Sequence, residues 1–175
     1  MHLGESQRDM RRAYVNGGVG IFMSGLVWVT AGAVTLYADL FAGMATLFFG
    51  GMLIHPLSRL LARRIFYRGR SRVANPMEML ALQSTAFLII SLVIAYLVSG
   101  TYGDWFFPIA LSAVGARYLV FQTVYGMRLF VVLGIILIII AAAAIWGGLD
   151  PAFVALAGGA TELLCSAFIL VPAKR

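Results

Sequence analysis

The stretch LFVVLGIILIIIAAAAIWGG, Leu129–Gly148, carries no ionisable side chain from end to end. Wound as an α-helix it is about 30 Å long, the thickness of a bilayer's hydrocarbon core. Five further segments read the same way: about Gly17–Ala38, Leu40–Leu57, Met77–Ser99, Trp105–Tyr125 and Pro151–Val171. None alternates with the period of two that a transmembrane β-barrel requires, so helices are the element that satisfies the backbone in lipid. Composition agrees. Hydrophobic residues make up 62% of the chain and charged residues 11%, against about 25% charged in a soluble domain. Mean hydropathy is +0.95. The expected fold is all-α: a polytopic bundle of six transmembrane helices arranged as three helical hairpins. Residues 1–16 precede it, a basic connector spans 58–75, and 172–175 form a tail.

The formal charge of +6 would suit nucleic acid, but its distribution argues against that partner. Arg8, Arg11 and Arg12 precede the first span, and Arg59, Arg63, Arg64, Arg68, Arg70 and Arg72 lie between the second and third. Arg128 follows the fourth, and Lys174 and Arg175 follow the sixth. The alternate connections contain no Lys or Arg, and their only charged residues are Asp39, Asp104 and Asp150. By the positive-inside rule both termini are expected to be cytoplasmic, with the membrane crossed several times. The first apolar run follows arginines and contains Ala31-Gly32-Ala33, but it is longer than a signal peptide's ~7–15-residue core and reads as a retained span.

Local signals place the helix starts. Asp39, Asp104 and Asp150 each precede an apolar run, where a carboxylate accepts from free first-turn N–H groups and complements the dipole. Pro151 adds proline at the first helical position. Asn75-Pro76-Met77-Glu78 repeats the pattern, with Asn as cap and Glu three residues on. An acidic vestibule is the alternative use of the three Asp residues. Small residues recur every seventh position: Gly18, Gly25 and Gly32; Gly43 and Gly50; Gly134, Ala141 and Gly148; Ala152, Gly159 and Ser166. Such stripes let helix backbones touch in lipid, within the bundle or between copies in a homo-oligomer.

Two residues break the apolar pattern. Arg117 and Glu162 lie near the middle of the fourth and sixth spans, ~18 Å and ~17 Å from the outer helix starts. An ionised group at that depth costs roughly 2.5–3.5 kcal/mol on insertion scales and faces the bundle interior. Equal depth and opposite sign make them an expected intramembrane charge pair, in direct or single-water contact. The pair is read equally as a device that fixes register and as a proton, anion or substrate site.

Further polar residues gather toward the basic side: His55, Gln83, Thr85, Tyr118, Gln122 and Tyr125 are candidates to line a polar cavity with Arg117. Arg59, Arg63, Arg64 and Arg68 are candidate contacts to anionic lipid, at ~1 kcal/mol each near a membrane surface. Cys165 is unpaired, and neither His2 nor His55 has metal-ligand spacing. No catalytic or cofactor-binding motif is present, so no catalytic residue, metal or cofactor is expected. Enzymatic activity stays open, with the balance against it.

The segments QRDMRRAY (Gln7–Tyr14), GGMLIHPLS (Gly50–Ser58), LALQST (Leu80–Thr85), DWFFP (Asp104–Pro108), GARYLVFQTVYGMR (Gly115–Arg128) and AGGATELL (Ala157–Leu164) resemble an uncharacterised family of small bacterial inner-membrane proteins. The resemblance covers nearly the whole chain and implies a multi-pass protein of the bacterial inner membrane with no assigned activity. Three functions follow as expectations: a small-solute, ion or proton transporter or channel using Arg117 and Glu162; a lipid-binding protein or enzyme acting on a phosphate-bearing lipid; or a scaffold subunit.

Overall fold

The computed structural model describes residues 2–66 and 75–173. A polar helix, α1 (Leu3–Ala13), precedes the apolar ones: α2 (Gly18–Tyr37), α3 (Leu40–Phe66), α4 (Pro76–Ser99), α5 (Phe106–Tyr125), α6 (Leu129–Gly147) and α7 (Pro151–Ala173). Six helical stretches among the described residues are long and apolar enough to cross a membrane. No strand occurs among them. The Asp-bearing turns lie at one end of the bundle, called here the acidic end, and α1 packs at the other, the basic end.

The most extensive helix packing is between α2 and α7, followed equally by α2 with α3 and α5 with α6, and then by α4 with α5. Two trios result, α2–α3–α7 and α4–α5–α6, joined where α7 meets α5 and α6. The last sequential pair is therefore not a tight hairpin: α7 lies along α2 instead. Small residues explain the choice. A Cβ on Gly25 would come within 2.9 Å of the Gly159 carbonyl, and one on Gly32 within 3.0 Å of the Ala152 carbonyl. Gly115 and Gly134 meet in the same way between α5 and α6: a Cβ on Gly115 would come within 2.8 Å of the Gly134 carbonyl oxygen, and one on Gly134 within 2.6 Å of the Gly115 carbonyl oxygen. In lipid such backbone contact replaces the hydrophobic drive that water would supply.

Polar groups on the spans are mostly settled within their own helix. Thr30, Thr35, Thr46 and Thr161 donate to carbonyls one turn earlier at 2.8–2.9 Å, which removes the cost of an unpaired hydroxyl in lipid. Pro56 lies inside α3, which nonetheless runs on through Arg59, Arg63 and Arg64 to Phe66. The rest of the basic connector, Arg68 included, falls outside the described residues.

Three of the four expected caps carry the hydrogen bond. Asp39 Oδ1 accepts from Ala42 N at 2.8 Å, Asn75 Oδ1 from Met77 N at 3.0 Å, and Asp150 Oδ1 from Ala152 N at 2.8 Å. Asp104 is a correction. It sits inside a 3₁₀ turn, Gly103–Trp105, so α5 starts later, with Trp105 in the cap position and no side-chain cap bond.

Helix α1 is more than a leader. Met10 and Ala13 are buried, Gln7 Nε2 donates to Thr123 O at 2.8 Å, and Arg11 donates to Tyr125 O. These acceptors are carbonyls in the last turn of α5, which have no intrahelical partner. Asn75 Nδ2 donates to Ser6 O at 3.1 Å and Asp9 Oδ2 at 2.9 Å. Val15 (φ 51°), Asn16 (φ 56°) and Gly17 (φ 78°) form a left-handed corner between α1 and α2. For a β-branched residue such as Val15 that region is strained.

Candidate functional site

Arg117 lies past the middle of α5 and turns toward α4. Its Nη2 donates to Thr85 Oγ1 at 2.9 Å, and Nε reaches Ser84 Oγ at 3.4 Å. Both hydroxyls donate their own protons to the Ala81 carbonyl, at 2.7 Å from Ser84 and 3.0 Å from Thr85. Their oxygens are thereby left to accept from the guanidinium. Phe121, one turn further on, covers the cation, with Cζ 4.8 Å from the ring centroid, a cation–π contact.

Glu162 of α7 is fully buried. Its Oε1 accepts a 2.6 Å hydrogen bond from the Tyr118 hydroxyl, while Oε2 has no hydrogen-bond partner. Ser24 of α2, also buried, is the other hydroxyl facing this carboxylate. The site thus joins α2, α5 and α7 at one level of the bundle.

Of the expected direct or single-water contact between Arg117 and Glu162, the direct form is absent: their side chains bond to other partners. Arg117 and Tyr118 are successive positions on α5, so their side chains leave the helix about 100° apart. One turns to α4 and the other to α7. Equal depth brings Tyr118, not Arg117, onto the carboxylate. The Arg117 charge still reaches Glu162 through space.

The remaining candidates divide. His55 is exposed on α3, and the charges of Arg59, Arg117 and Glu78 all reach it. Gln83 is exposed and Gln122 half-buried. Tyr125 is a packing residue, stacked on Phe130 at 5.0 Å with planes 15° apart. Arg59 is half-buried, and Arg63 and Arg64 are exposed near the end of α3. No three His, Cys, Asp or Glu side chains converge as metal ligands among the described residues.

The sequence reading did not single out Ser24, the Tyr14–Glu78 hydrogen bond of 2.8 Å, or the docking of α1. Ser24 precedes the contact residue Gly25, and that adjacency was the available signal. Burial and the Glu78 hydrogen bond push the Tyr14 hydroxyl, just before the first span, up to about 12.

Helices α3 and α4 belong to different trios. They approach at the acidic end, where Ser99 Oγ lies 4.0 Å from Met44 Sδ. An open cleft of about 440 Å³ lies there among Leu40, Phe41, Met44, Tyr96, Leu97 and Gly100.

Six apolar helices, with a half-buried arginine on one and a fully buried carboxylate on another, define a polytopic membrane protein with ionisable groups within its spans. Residues 3–172 match the family of unknown function DUF7010, and the chain belongs to that family. No curated protein and no solved structure matches it.

Proposed function

We propose that the protein binds a phosphate-type anion at Arg117, carried into the membrane as a lipid head group entering between α3 and α4. The observation that carries this reading is the set of Arg117's direct partners. They are two hydroxyls and an aromatic ring, all neutral, around a cation placed in a membrane span. A guanidinium has five N–H donors in a planar fork suited to phosphate, and an anion would complete its coordination. The separation of α3 and α4 into different trios supports lateral entry. Arg59 and His55 on α3 supply positive and titratable groups on the approach, and the apolar cleft between α3 and α4 at the acidic end suits acyl chains. A bacterial inner membrane, with the basic end facing the cytoplasm, is the setting this reading assumes.

Lipid analysis of the purified protein tests it. Wild-type protein should retain phosphatidylglycerol in preference to phosphatidylcholine, and Arg117→Gln should lose that preference. Equal retention by both proteins would contradict the reading. Competition by inorganic phosphate, with no lipid preference, would identify a soluble anion as the ligand instead.

A further inference from the structure

We infer that Glu162 is a proton-binding site, and that its proton leaves Arg117 free to hold an anion. The second half rests on the function proposed above; the first stands on the geometry of the carboxyl group alone. Glu162 is fully enclosed where α2, α5 and α7 meet. One oxygen has the Tyr118 hydroxyl and the other has no hydrogen-bond partner. An ionised carboxylate seeks donors for both oxygens, and the bare Oε2 is the atom that takes the proton.

The surroundings narrow the chemistry. From α5 the carboxyl group faces Tyr118, with the Arg117 charge beyond it, and from its own helix it faces Cys165. α2 presents Ser24, and α6 has no titratable side chain in its sequence. Among the described residues, Arg117 is the one cation whose charge reaches the carboxyl group, and its guanidinium is bonded toward α4. Loss of the proton would give Arg117 a competing anionic partner inside the protein. Gain of the proton removes that competitor. Proton and external anion therefore bind with positive linkage: each raises the affinity for the other by the same factor. No covalent step is involved. The proton moves from solvent to Oε2, and the anion arrives with its own charge.

The chain has only seven Asp and Glu residues, so infrared spectroscopy of the intact protein in vesicles can resolve one carboxyl group. The carbonyl stretch of a protonated carboxyl should be present in folded wild-type protein, shift in Tyr118→Phe, and vanish in Glu162→Gln. Exchanging phosphatidylcholine vesicles for phosphatidylglycerol should extend the band to higher pH in wild type, and Arg117→Gln should abolish that extension. If Glu162→Gln does not fold, the Tyr118→Phe shift identifies the band. Absence of the band at every pH where the protein stays folded would overturn the proton site. A band indifferent to phosphatidylglycerol that does bind at Arg117 would overturn the linkage. Failure of phosphatidylglycerol to bind, with the band present, would support the proton site and overturn the proposed function.

Discussion

Tyr118 and Glu162 form the hydrogen bond that ties α5 to α7 inside the bundle, at 2.6 Å between the phenol oxygen and Oε1. Tyr118 sits one position after Arg117, and that single step along α5 decides which side chain meets the carboxyl group. Removing the hydroxyl with Tyr118→Phe strips Oε1 of its donor while keeping the ring that packs near Phe121 and Phe130. A buried polar atom left unpaired costs about 1–3 kcal/mol. Thermal unfolding in detergent should fall accordingly, and Glu162→Leu combined with Tyr118→Phe should recover part of the loss, because both polar partners are then gone. Unchanged stability in Tyr118→Phe would refute the contact.

The separate partners of Arg117 and Glu162 predict a weak double-mutant coupling. Arg117→Leu and Glu162→Leu should destabilise nearly additively, with a coupling below about 1 kcal/mol. Breaking a direct buried ion pair strands one charge at about 3–5 kcal/mol, and replacing both residues relieves it. A double mutant restored to wild-type stability would mean that the two groups do meet.

Gly25 and Gly159 hold the two most closely packed helices at backbone contact. Gly159→Leu should therefore abolish folded yield, measured as monodisperse protein on size exclusion. Gly20, on the same helix as Gly25, has nothing within 4 Å of its would-be Cβ. Gly20→Leu should fold normally. Equal tolerance at both sites would contradict the close α2–α7 approach.

The Tyr14–Glu78 hydrogen bond gives α1 a pH-dependent fastening. The Tyr14 hydroxyl is raised from 10.0 to about 12, chiefly by burial and then by Glu78. A raised pKa means that the contribution is complete below pH ~10 and is lost as pH rises through about 12. Protease accessibility at Val15–Gly17 should thus increase over that interval in wild type. Tyr14→Phe should give elevated accessibility with no such step. An identical alkaline step in both would place the transition elsewhere.

The membrane class and the helices were legible because lipid imposes a coarse rule: about twenty apolar residues, no free backbone polar groups, and small residues at contacts. The stripes Gly18–Gly25–Gly32 and Ala152–Gly159–Ser166 carried enough information to expect tight packing. Which stripes face one another was not in the periodicity, and the α2–α7 and α5–α6 pairings emerged only in three dimensions. The site shows the same limit at finer scale. Depth along a helix is a matter of counting, and it placed Arg117 and Glu162 at one level. Azimuth depends on how α5 is rotated among four neighbours, and it gave Glu162 to Tyr118 and Arg117 to Ser84 and Thr85. Helix α1 was hidden for another reason: its polar residues read as a solvated arm, whereas Gln7 and Arg11 satisfy carbonyls at the end of α5.

The central claim is that Arg117 receives an anion at a specific site rather than through the general basicity of the chain. Titration of the detergent-solubilised protein with phosphatidylglycerol, followed by native mass spectrometry, addresses it directly. Hydrogen bonds to charged groups contribute about 1.5–3 kcal/mol, so Arg117→Gln should weaken the tightest binding by at least about tenfold. The double variant Arg63→Gln/Arg64→Gln, altering exposed arginines of α3, should leave that step near wild type and reduce only the weaker additional binding. If the surface variant loses the tight step and Arg117→Gln retains it, the anion site is not at Arg117.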